Sequence, residues 1–91
     1  MTNAEAHDMV DSIACLMEAF NDDIMPMITD MTVAFEGDCF EYDDETGTVR
    51  FTIAFNWPSR DLTRNHAFDA SDPLTEVKAW LYDLCITAAN L

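Results

Sequence analysis

Basic residues are the scarcest feature of this chain: Arg50, Arg60, Arg64 and Lys78 stand against 18 Asp and Glu, a formal net charge of −14 on 91 residues. Four scattered cations form no patch able to overcome that field, so direct binding to nucleic acid or an anionic membrane is excluded and a basic protein partner is expected. Glycine is nearly as rare, with only Gly37 and Gly47. A phosphate-cradling loop is therefore missing, and no P-loop, Rossmann, G-x-S-x-G or HExxH pattern occurs. The three cysteines, Cys15, Cys39 and Cys85, are odd in number and lack CxxC spacing. That rules against a disulfide framework or thiolate metal site and fits free thiols in a reducing cytoplasm. No apolar run approaches the ~18 residues of a membrane span, and no basic segment followed by an apolar run opens the chain, so a soluble cytoplasmic protein is expected.

What is present is a core. Apolar residues make up 49% of a chain long enough for one domain, residues 1–91, that folds without staples. The stretch Thr48–Trp57 places Val49, Phe51, Ile53, Phe55 and Trp57 in strict alternation, the period of a strand with one buried face. Before it, Thr2 and Glu5 have the spacing of a capping box, and Ala6, Met9, Val10, Ile13, Leu16, Met17 and Phe20 recur every three or four residues. A helix from about Asn3 to Asn21 is predicted, bent or ended by Pro26. Met31, Val33 and Phe35 form a first strand, and the apolar phase then shifts to Phe40 and Tyr42. A two-residue turn at Gly37-Asp38 accounts for the shift, with a second strand at about Cys39–Asp43 and a turn through Asp43–Gly47. Residues 59–71 admit either a helical turn at Ser59–Asn65 or a fourth edge strand at about Asn65–Asp69. Asp72-Pro73 then supplies an N-cap and a first-position proline for a helix to about Ala89. The expected fold is α+β, a helix, a three-stranded antiparallel meander and a helix, with both helices on one face of the sheet.

The carboxylates fall into two groups. Asp8, Asp11, Glu18 and Asp22 form one ridge of the first helix, with Cys15 at its middle. Their separations along the axis, about 4.5 to 10.5 Å, are of the same order as the interval between phosphates on a nucleic acid strand. Glu36, Asp38, Glu41, Asp43, Asp44 and Glu45 crowd the two hairpins. Together these ten residues are the candidate partner-binding set; the alternative is an ordinary solvated face, or haloadaptation, against which the six Phe, two Trp and six Met argue. On the last helix, Ala79, Tyr82 and Ile86, flanked by Trp80, make a second apolar stripe, a candidate for self-association as a homodimer.

Catalysis is not expected. Cys15 lies among carboxylates that make it a poor nucleophile. His7 with Asp11 offers two metal ligands where three or four are needed, Asp43-Asp44-Glu45 lacks the alternating ligands of a calcium loop, and no cofactor is implied.

No motif identifies a family. The element order resembles that of double-stranded-RNA-binding domains, but where those carry a basic cluster this chain reads Asp72-Pro73-Leu74-Thr75-Glu76-Val77-Lys78. The resemblance implies the topology and not the RNA binding. Gly37-Asp38-Cys39-Phe40-Glu41-Tyr42 before a long strand looks like the opening of the acidic dimeric chaperones of type III secretion, which continue with elements absent here. In size, charge and lack of motifs the chain also resembles acidic phage proteins that block host nucleases. The expected function is therefore a phage-encoded anti-CRISPR or anti-restriction inhibitor acting as a DNA mimic in the host bacterial cytoplasm. The alternatives are a dimeric secretion-type chaperone for a basic partner and an immunity protein for a nuclease toxin.

Overall fold

The computed structural model describes residues 2–37 and 40–90. The first helix, α1 (Asn3–Ala19), begins at the anticipated capping box: the Glu5 amide donates to Thr2 Oγ1 at 3.2 Å, and the Thr2 amide to Glu5 Oε1 at 3.1 Å. Ala6, Ile13, Met17 and Phe20 are buried, with Met9, Val10 and Leu16 packed around them. Instead of continuing to Asn21, the helix widens into one π-helical turn, Phe20–Ile24, followed by a 3-10 turn at Met25–Met27 that contains Pro26. The irregular turn has a purpose in the packing. It keeps Phe20 and Met25 in the core while Asn21 faces the first strand.

Four strands follow: β1 (Thr32–Phe35), β2 (Glu41–Asp43), β3 (Thr48–Trp57) and β4 (Leu62–Ala70). The central strand is β3, as its alternation demands, with Val49, Phe51, Ile53 and Trp57 buried. The meander expectation needs two corrections. The sheet has four strands, because β4 pairs with β3 without interruption from Val49↔Ala70 to Trp57↔Leu62. In addition, β1 and β2 do not pair with each other. Both pair antiparallel with β3, β1 through Val33↔Phe55 and β2 through Tyr42↔Val49. Since β4 occupies one edge of β3 throughout, β1 and β2 lie end to end along the other. Five residues separate them, whereas only Phe51 and Thr52 separate their partners on β3. The shift in apolar phase is thus an insertion in one edge strand. Gly37 does have the positive φ of 82° that the anticipated turn requires, while Asp38 and Cys39 lie outside the described residues.

Pro58–Arg60 forms a 3-10 turn, closed by Asp61 in the left-handed region at φ 51°, and joins β3 to β4. It is tied to the start of β1: Asp30 accepts from the Ser59 amide at 2.9 Å and from Ser59 Oγ at 2.7 Å. The second helix, α2 (Pro73–Ala89), starts at Asp72, which accepts from the Thr75 amide and from Thr75 Oγ1. Val77 and Leu81 bury its inner side, with Leu74, Leu84, Cys85 and Ala88 beside them. Both helices therefore cover the same sheet face, where Phe51 stacks on Phe68 at 5.3 Å and meets Phe35 edge-on at 5.6 Å. Helix α1 lies towards the β1/β2 side, where His7 meets Phe40, and α2 lies over β4. No described helix is long and apolar enough to cross a membrane.

Candidate interaction surface

Burying Ile13 and Met17 fixes the rotation of α1, and at about 100° per residue that rotation turns Asp8, Asp11, Cys15 and Glu18 outward, with Asp22 following on the π-helical turn. All five are exposed. Asp8 and Asp22 are about 20 Å apart at 1.5 Å per residue. Among the described residues, no cation lies within ion-pair distance of these carboxylates; the ion pairs are those of Arg50 with Glu41 and Asp69, each at 3.5 Å.

The acidic tip between β2 and β3 lies at the same end of the molecule as the start of α1. Thr2, Asn3, Tyr42 and Asp44 line one shallow cleft, so Asp44 lies beside the start of α1. Its three carboxylates are not equivalent. Asp43 Oδ1 accepts from the amides of Glu45 at 2.9 Å and Thr46 at 3.4 Å, and the Asp43 carbonyl accepts from Gly47 at 2.8 Å. Asp43 therefore builds the turn, and Asp44 and Glu45 project from it into solvent.

Glu36 and Glu41 belong to the other side of the sheet, although Glu41 also lines a cleft with Asp43, Asp44, Glu45 and Arg50 at the tip. With Arg50, Thr52 and Ala67 they border a depression on the side of the sheet away from the helices. Arg50 is bound there between Glu41 and Asp69, which reduces the local negative field. Of the ten carboxylates anticipated as one surface, Asp8, Asp11, Glu18 and Asp22 form an acidic track along the outer side of the first helix and the turn after it, and Asp44 lies near the helix start. Glu36 and Glu41 are on the opposite side, Asp43 is held in its turn, and Asp38 lies outside the described residues.

The anticipated stripe on α2 also divides. Ala79, Tyr82 and Ile86 are exposed, Tyr82 by 67% and Ile86 by 44%. Trp80 instead turns down to β4, stacked on His66 at 5.3 Å and edge-on to Phe68 at 5.6 Å. Tyr82, about 200° further round the helix, points to the other side of α2, towards the outer surface it shares with α1. A second exposed apolar group was not anticipated: Ile24, Met27 and Ile28 are exposed by 44%, 87% and 39%. The signal was a run of four apolar residues around Pro26, which reads as a linker unless the turn that displays them is known.

Among the described residues, two titratable groups depart from their ordinary range. The Asp30 carboxyl is lowered, chiefly by the hydrogen bond from Ser59 Oγ, and the Cys85 thiol is raised by burial. Neither lies near the acidic track. No three potential metal ligands come together among the described residues. No known protein family matches the chain, and neither does any curated protein or solved structure.

Proposed function

We propose that the protein is a small acidic inhibitor that occupies the basic nucleic-acid-binding surface of a bacterial defence effector, as a phage-encoded anti-CRISPR or anti-restriction protein of the DNA-mimic kind. The observation that carries this reading is the acidic track: carboxylates at Asp8, Asp11, Glu18 and Asp22, without ion-pair partners among the described residues, along the outer side of the first helix and the turn after it, with Asp44 near the helix start. Carboxylates about 4.5 to 10.5 Å apart along the axis meet a channel of Lys and Arg built for phosphates, and the net charge of −14 steers the encounter.

The test is competition. A CRISPR effector or restriction enzyme saturated with the protein should lose DNA binding, and the association should weaken steeply from about 0.1 to about 0.5 M salt. Reversal of Asp11 and Glu18 to Lys should abolish inhibition while leaving the circular dichroism spectrum unchanged. Undiminished DNA binding by a saturated target would overturn the mimic reading. One observation favours a second reading, a chaperone or adaptor for a basic protein: Tyr82 and Ile86 are exposed on the helical layer that also carries the track. Under that reading, substitution of both by Ser removes binding while the charge reversals only weaken it. An immunity protein for a nuclease toxin would use the track as the inhibitor does.

A further inference from the structure

The two edges of the sheet are built differently. On one side the edge is split into four and three residues by the insertion after Phe35, and it carries Glu36, Glu41 and Asp43. Part of that edge is also capped: the Asn21 side chain donates to the Val33 carbonyl and accepts from the Val33 amide, both at 2.8 Å. These are devices by which sheets avoid edge-to-edge pairing.

The other edge, β4, has none of them. It runs for nine residues in unbroken register with β3, contains no proline, glycine or bulge, and among the described residues pairs with no strand on its outer side. Thr63 to Ala67 are five consecutive exposed residues, although Trp80 of α2 stacks on His66. Every second residue there turns an amide and a carbonyl outward. The charge distribution spares the same side of the molecule. Residues 62–90 hold four carboxylates and two cations, a net −2, whereas residues 1–61 hold 14 carboxylates and two cations, a net −12. Within β4, Arg64 and Asp69 balance.

We infer that β4 is a self-association edge, on which a second copy of this chain adds its own β4 antiparallel to give one continuous eight-stranded sheet. A two-fold axis at His66 uses all nine residues. It sets Leu62 opposite Ala70, Thr63 opposite Asp69, Arg64 opposite Phe68 and Asn65 opposite Ala67 of the other copy. His66 meets its own copy on the axis, no carboxylate faces a carboxylate and no guanidinium a guanidinium, so the register sets no two permanently charged like groups opposite each other. A foreign strand has no such match built in. The acidic tracks lie on the helical layer, clear of the junction, so each dimer presents two of them.

Light scattering on eluted protein from about 5 to about 500 µM, with amide hydrogen exchange at both limits, tests this. Dimer mass at the upper limit is expected, with slowed exchange at alternate β4 amides and unchanged exchange in β1 and β2. Asn65→Glu places a carboxylate diagonally across from both Asp69 and the same substituted position of the other copy, and should restore the monomer. Asn65→Gln should not. A monomer throughout, with exchange independent of concentration, overturns the inference. So does a dimer that Asn65→Glu leaves intact, which would place the contact elsewhere, or a monomer whose β4 amides slow only when an unrelated valine–threonine strand peptide is added.

Discussion

Asn21 offers the sharpest test of how the acidic helix is joined to the sheet. Its amide group acts as a short piece of strand, meeting both the N–H and the C=O of Val33 at 2.8 Å. Val33 is 3% exposed, so its backbone groups rely on that amide for their hydrogen bonds. A buried group left without a partner costs about 1–3 kcal/mol. Two such groups, eased by water entering the space vacated and by about 0.5 kcal/mol of better helix propensity, give a loss of about 2 kcal/mol for Asn21→Ala. In a domain of this size that lowers the thermal midpoint by roughly 8–16 °C.

Asn21→Asp separates the two bonds. The carboxylate still accepts from the Val33 amide but sets oxygen against the Val33 carbonyl, so at pH 7 it should be at least as damaging as Ala. A protonated carboxyl can donate as the amide did, so the folded state favours the proton and the folded pKa of the introduced group rises above its unfolded value. Its deficit relative to the parent protein should therefore grow as pH rises through that pKa and shrink in acid. Urea unfolding followed by circular dichroism at pH 4 and pH 7 reads both effects. A loss below about 0.5 kcal/mol for Asn21→Ala, or an Asp variant equal to the parent at pH 7, would refute this account of the junction.

Three further outcomes are expected. Ile53 is 0% exposed whereas Phe55 is half-buried, so Ile53→Ala should cost about 2–5 kcal/mol and Phe55→Ala less, although Phe is larger; equal losses in urea unfolding would contradict the packing. Ser59→Ala removes the largest influence lowering Asp30, so an NMR titration should find the Asp30 pKa moved up towards 3.8. Because the folded pKa is depressed, what this contact contributes to stability is present above the unfolded pKa and is lost as pH falls through the folded one, and an unmoved Asp30 would reject the contact. Finally, a chain of net charge −14 repels itself, so the urea midpoint should rise from about 10 mM to about 500 mM sodium chloride; a fall would show that attractive pairs outweigh the repulsion.

The sequence was most legible where local chemistry decides structure. Thr2 with Glu5 and Asp72-Pro73 fixed both helix starts, and the alternation through Val49–Trp57 identified the central strand. Pairing was less legible because it depends on distant residues. A shift in apolar phase after Phe35 looks the same whether the chain turns back on itself or inserts residues against a third strand, and only β3 decides between them. Strand β4 was obscured for another reason. Its inward positions include Arg64 and His66 as well as Phe68 and Ala70, since α2 leaves the Thr63–Ala67 stretch exposed, and a strand covered over part of its length shows no clear period. The ridge on α1 was recoverable from 3.6-residue geometry, but the displacement of Glu36 and Glu41 to the other side required the sheet.

The turn at Pro58–Asp61 also bears on the order in which the molecule assembles. It joins the two strands with the longest uninterrupted pairing, nine register pairs closed over a four-residue loop, whereas the β2–β3 loop of the same length is followed by three pairs, so an equal loop entropy is offset by more contacts here. The β3–β4 hairpin is then the expected nucleus. The Asp30–Ser59 contact becomes the step that brings β1 to a preformed template, with φ-values near one across Trp57–Leu62 and low at Val33. An acidic chain that repels itself thus begins to fold in its least charged segment.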